Sequence, residues 1–129
     1  MSDLLSAMRS SVSGMSAQTT RLRLSSENIA NADTPGYRGK TVRFAEIEGA
    51  DGIARVVAGR PELSDRRAER IYAPGHPLAD ADGYYDGSNV NLMVEIADAR
   101  QAQRSYEANL KMFDQARAMS SALLDILRR

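Results

Sequence analysis

Cysteine and tryptophan are absent from this 129-residue chain, and its aromatics amount to five Tyr and two Phe. Without cysteine there is no disulfide and no thiolate metal site. So few aromatics argue against a rich, compact core. Neither sign of charge is in excess: 17 basic residues balance 17 acidic ones. That excludes nucleic-acid binding through a net positive field and leaves only local basic patches. No apolar run approaches the ~18 residues of a membrane span. The opening Met1-Ser2-Asp3-Leu4-Leu5 lacks the basic start and apolar stretch of a cleavable secretory signal, and by that rule alone the chain reads as cytosolic. With 43% apolar and 26% charged residues, it reads as a folded chain, one domain or one split domain.

Long helical patterns occupy both ends. Met8, Met15, Leu22 and Ile29 recur every seven residues. Leu4, Ser11, Gln18 and Ser25 precede each by four, and Leu5, Val12, Thr19 and Ser26 complete the stripe. The seam is weak. Eight serines fall in the first 26 residues and Gly14 lies mid-pattern, and both residue types lower helix propensity. Alone, this helix is marginal in water and needs a partner surface, so the expectation is that it stays loose until neighbours cover it. From about Asn91 to Arg129, Leu92, Ala99, Tyr106, Phe113, Ser120 and Leu127 repeat every seven, with Ile96, Ala102, Leu110, Ala116, Leu123 and Leu124 in the same stripe. Glu107–Lys111 and Asp125–Arg129 have favourable i,i+4 spacing, Asn89 or Asn91 suits the N-cap, and Arg128 and Arg129 suit the C-terminal pole. Such a helix reaches ~55 Å and projects beyond any globular part.

Between the helices the pattern changes. Pro35 stops the first helix and Gly36 permits a turn, while Asn31, Asp33 and Thr34 compete for backbone hydrogen bonds. Thr41–Ala45 alternates weakly like an edge strand, and Ile53–Val57 forms a second alternating run after Asp51-Gly52. Asp82-Gly83 and Asp86-Gly87 are further turn signals, and Glu62–Arg70 reads as a solvated loop. Two to four short strands are expected. The fold class is mainly α with a small β part: paired terminal helices flanking a β-hairpin-containing middle. The divisions are 1–34, 35–88 and 89–129, two helices of an inner coiled coil and a connecting and small outer region between them.

Candidate chemistry is sparse. His76, the single histidine, lies between Pro74 and Pro77 and reads as a polar loop residue rather than a catalytic or zinc partner of Asp80 or Asp82. Asp80-Ala81-Asp82-Gly83 opens like a calcium loop but puts its glycine fourth and ends on Asn91, so the EF-hand pattern fails. Arg38, Lys40 and Arg43 either block strand pairing or meet a neighbour's acidic face such as Glu46 and Glu48. No nucleophile with a nearby base and no phosphate loop is legible, so no enzyme, cofactor or metal is expected. The apolar seams carry the functional reading. Two paired helices leave much of each seam uncovered, and Met1, Met8, Met15, Met93, Met112 and Met119 are adaptable contact residues. A helical adaptor or export chaperone that buries both seams in a stable dimer is the alternative.

Three segments carry a family resemblance. Ser26-Glu27-Asn28-Ile29-Ala30-Asn31-Ala32-Asp33-Thr34-Pro35-Gly36-Tyr37-Arg38 resembles the N-terminal signature of bacterial flagellar rod and hook subunits. Tyr72–Tyr84, with its Pro74-Gly75-His76-Pro77, and Arg104–Leu110, with Ser105-Tyr106-Glu107-Ala108-Asn109, narrow the resemblance to the family's proximal rod proteins. Tyr85-Asp86-Gly87-Ser88-Asn89-Val90 is closer to a sister rod protein and leaves open the turn into the last helix. The resemblance implies a non-enzymatic subunit of the basal-body rod in the periplasmic space. It implies export through the flagellar type III apparatus without a cleaved signal, and stacking with copies of itself and other rod subunits into a tube that transmits torque around the export channel. The expected subunit-interface residues are Met8, Val12, Met15, Leu22, Ile29, Asn31, Pro35, Gly36, Tyr37, Leu92, Ile96, Tyr106, Leu110, Phe113, Leu123 and Leu127.

Overall fold

The computed structural model describes residues 2–129; Met1, one of the expected contact methionines, lies outside them. Helix α1 spans Ser2–Ala30 and helix α2 spans Leu92–Leu127. Between them run β1 (Lys40–Thr41), β2 (Phe44–Glu48), β3 (Ala54–Ala58), β4 (Glu62–Leu63), β5 (Arg70–Tyr72) and β6 (Tyr84–Asp86). The strands pair antiparallel in three ladders, β1 with β4, β2 with β3, and β5 with β6. Six strands exceed the two to four expected. Part of the excess falls in Glu62–Arg70, where β4 pairs Leu63 with Lys40 and β5 begins at Arg70. Its mixed charges concealed strands too short to show alternation. Among the described residues no helix is long and apolar enough to cross a membrane.

The helices run antiparallel, with Gly14 against Asn109 and Arg21 hydrogen-bonded to Asp98 and Gln101. Their contact is not the large-residue seam that the heptads suggest. The buried positions are Ser11, Gly14, Ala17, Leu24, Ser25 and Asn28 on α1, and Ala102 and Ala116 on α2. Small residues let the backbones approach closely, and that shifts the buried stripe to one side of Met8, Met15 and Leu22. Gly14 therefore has a packing reason: a Cβ there would lie 2.7 Å from the Asn109 amide nitrogen. The serines have one too. Ser10 Oγ donates to the Ala54 carbonyl at 2.7 Å, and Ser13 Oγ accepts from Val56 N–H at 3.0 Å, so α1 satisfies one edge of β3. The partner surface that a marginal helix requires is thus found within the chain, on α2 and β3.

At ~1.5 Å per residue, the 36 residues of α2 extend ~54 Å against ~43 Å for the 29 of α1. Asn91, not Asn89, is the N-cap, its side chain accepting from Met93 and Val94 N–H. Arg128 is the C-cap. Among the described residues, neither Glu107–Lys111 nor Asp125–Arg129 closes to ion-pair distance. Exposed pairs of this kind gain little against side-chain entropy.

Candidate assembly interface

The first helix stops by chemistry local to its signature. Asn31 Nδ2 donates to the Glu27 carbonyl at 2.8 Å, and Thr34 Oγ1 donates to Asn31 Oδ1. Tyr37 N–H then closes on the Thr34 carbonyl across Pro35-Gly36. Gly36 has φ +73°, so proline and glycine occupy the two central places of a type II turn. The turn returns the chain beneath Asn28, the largest fully buried side chain among the described residues. Asn28 Oδ1 accepts from Lys40 N–H and from the Tyr37 hydroxyl, both at 2.8 Å, while its Nδ2 donates to the Lys40 carbonyl at 2.9 Å. Burial raises the Tyr37 phenol above its ordinary pKa, against the opposing pull of Lys40.

A second buried asparagine completes the clasp. Asn89 Oδ1 accepts from Gly39 N–H at 2.7 Å, and its Nδ2 donates to the Ser64 and Arg66 carbonyls, each at 3.1 Å. Ser88 Oγ donates to the Ala32 carbonyl. Gly36 N–H is shared between the Asp86 and Gly87 carbonyls. The turn into α2 that the sequence left open is therefore an extended segment bonded to the first helix stop. Asp86-Gly87 is accordingly not a turn: Asp86 ends β6, and Gly87 N–H donates to the Glu69 carbonyl. The burial of Asn28 and Asn89 was hardest to see in advance, because a buried asparagine has no periodic signature: Asn28 stood only within the first signature, and Asn89 only as an N-cap candidate.

The basic cluster is satisfied within the chain. Lys40 pairs with Glu27 at 3.0 Å, Arg38 with Asp65 at 3.5 Å and the Ser64 carbonyl, and Arg43 with Glu62 at 3.9 Å. Acidic partners for the cluster are thus present within the chain, beside the two expected roles of blocking strand pairing or meeting a neighbour's Glu46 and Glu48. The strand β4 brings Glu62 and the adjacent Asp65 alongside, Glu27 lies on α1, and sequence distance hid these partners. In the outer part, His76 stacks on Tyr85 at 4.1 Å between ring centres, and its Nδ1 accepts from Leu78 N–H. Asp80 Oδ1 accepts from Tyr84 and Asp82 N–H, and Oδ2 from Arg70; the Tyr84 bond leads in holding its carboxyl below the usual range. These are turn-forming roles.

Of the expected interface residues, Val12, Pro35, Gly36, Leu92, Leu110, Leu123 and Leu127 are exposed. Met8, Met15, Leu22, Ile29, Asn31, Tyr37, Ile96, Tyr106 and Phe113 are half-buried. The structure separates them into two groups. Asn31 and Tyr37 bond within the clasp, whereas Val12, Leu110 and Leu123 present apolar surface along the helices.

Known proteins match this sequence. Residues 8–38 match the family described as "Flagella basal body rod protein", and residues 81–126 match "Flagellar basal body rod FlgEFG protein C-terminal". The chain is 41% identical to the flagellar basal-body rod protein FlgC of Agrobacterium fabrum, covering 99% of this chain and 98% of that one. It is 34% identical to the protein of the same name from Salmonella typhimurium (83% and 85% covered) and 35% identical to that from Aquifex aeolicus (88% and 89%). The helix stop, the clasp and the long second helix all fall within the near-complete alignment with the Agrobacterium protein, and the chain belongs to the FlgC family of flagellar basal-body rod proteins.

Proposed function

We propose that the chain is a structural, non-catalytic subunit of the flagellar basal-body rod that assembles through its paired terminal helices. The carrying observation is the apolar surface along both helices: Val12 is 48% exposed, Leu110 40% and Leu127 76%. Apolar stripes of this extent mark interfaces. Covering ~400 Å² of apolar area per helix with neighbours contributes about 10 kcal/mol before ordering costs, enough to couple folding to assembly. In this reading residues 1–34 and 89–129 form the inner layer of the rod, and residues 35–88 form a connecting and outer part. Subunits stack heterologously into a non-closing helical tube with other rod proteins. The subunit reaches the periplasmic rod through the type III export apparatus without a cleaved signal. Loss of the gene should leave cells without assembled rods and hooks. Removing residues 1–26 should abolish both export and assembly. Rods and hooks in the deletion strain overturn the reading, as does a purified chain that hides both stripes in a stable closed dimer.

A further inference from the structure

The three sides of α1 are not used alike. Ser11 and Gly14 face α2, Ser10 and Ser13 hold β3, and Leu5, Met8 and Val12 lie on the side left over. There they line a groove of about 500 Å³, with Phe113 of α2 on one flank and Arg55 of β3 on the other. Leu5, Met8, Arg9 and Val12 stand at i, i+3, i+4 and i+7, the four corners of a hole that accepts one side chain of a facing helix.

A surface of the complementary kind ends α2. Carrying the register of Gly14 opposite Asn109 back to Ser2 reaches the level of Ser121, so the last turns of α2 stand past the first described turn of α1. Leu123, Leu124 and Leu127 continue the stripe of Ala102 and Ala116 that faces α1, and are exposed by 41%, 42% and 76%. Large leucines replace small residues where the partner helix is no longer alongside. The ridge continues the intramolecular seam, the groove offers a hole spaced for it, and both are on one chain.

We propose that the Leu123–Leu127 ridge of one copy seats in the Leu5–Val12 groove of a second copy. This contact rests on the rod-subunit reading and gives it a specific joint between two unlike surfaces. Each copy carries one of each surface, so seating on two different neighbours propagates the contact, whereas reciprocal seating of two copies would close it; a ladder rather than a lone dimer marks the former.

The cysteine-free chain permits a direct test. Cells carrying Val12→Cys/Leu124→Cys in one chain should yield basal bodies in which oxidation links this subunit into a ladder of multimers, reversed by reductant. Leu5→Cys/Leu127→Cys is the second pair, in case the first impairs assembly. In solution, full-length Val12→Cys mixed with full-length Leu124→Cys should form a disulfide dimer that neither forms alone. Dimers of Val12→Cys with itself overturn the proposal in favour of groove-to-groove pairing. Assembled basal bodies without a ladder from either pair also overturn it, and leave the rod reading standing. Rods in a strain lacking the gene would instead remove the reading beneath it.

Discussion

Replacing Gly14 by alanine sets two effects of known size against each other. In a helix interior alanine is favoured over glycine by about 1 kcal/mol. At this position, however, the new Cβ would lie 2.7 Å from Asn109 Nδ2 and 2.9 Å from its Cγ and Oδ1. The Asn109 amide is held by its bond to the Ser105 carbonyl at 3.0 Å, so it must turn away or push the helices apart. Overpacking of this kind costs roughly 1–3 kcal/mol. The net expectation is a loss of about 0–2 kcal/mol, or up to ~8 °C in midpoint at about 4 °C per kcal/mol for this length. Asn109→Ala removes the obstruction, and in that background Gly14→Ala should stabilise by about 1 kcal/mol, ~4 °C. The four proteins form a cycle whose coupling should be about 1–3 kcal/mol, read from thermal unfolding by far-UV circular dichroism on dilute protein. If Gly14→Ala raises the midpoint equally with and without Asn109, the helices are not in close contact there and the small-residue seam is wrong.

Asn28→Ala strips the acceptor from Lys40 N–H and the Tyr37 hydroxyl and the donor from the Lys40 carbonyl, and should cost about 2–4 kcal/mol in urea unfolding; a cost below about 0.5 kcal/mol contradicts the clasp. Tyr37→Phe should cost about 1 kcal/mol. Because burial raises the Tyr37 pKa, the wild type holds this contribution below the unfolded value of about 10 and loses it as pH rises through the folded value; the phenylalanine variant should lack that alkaline loss in a pH series of unfolding midpoints. Asp51 behaves oppositely. Its hydrogen bond with Arg55 depresses its pKa, so the β2–β3 turn is secured above the unfolded carboxylate value of about 4 and loosens as pH falls through the folded one. Protection of the Gly52 and Ile53 amides, taken relative to intrinsic exchange at each pH, should fall with acid more in the wild type than in Asp51→Asn.

The large architecture was legible because it rests on periodicity and on strong stop signals. Pro35-Gly36 marked the end of α1, and the uninterrupted run from Leu92 marked α2. The hairpin was legible in Ile53–Val57 after Asp51-Gly52. The helix seam was misread by weight: heptads of Met and Leu drew attention, while the buried positions are the small members of the same stripes, Ser11, Ser25, Ala102 and Ala116, with Gly14, Ala17 and Leu24 beside them. Hydrophobic size predicts which residues seek burial, but the distance between helix axes is set by how small the intervening residues are. The pairings of Arg38, Lys40 and Arg43 were beyond reach for another reason. Those of Arg38 and Arg43 depend on β1 meeting β4, a pairing of two residues on each strand that leaves no pattern to read, and that of Lys40 on the fold-back of the chain onto Glu27 of α1.

The clasp has one more consequence. The excursion between the helices departs at Gly36 and comes back at Gly87, and those two points are bonded to each other. The β5–β6 hairpin is hung from that closed ring of backbone, so the length of its tip does not govern how far apart the helices stand. Lineages could lengthen or trim the tip around Pro74–Asp82 while the shaft kept its gauge, much as a tool head is exchanged on an unchanged spindle.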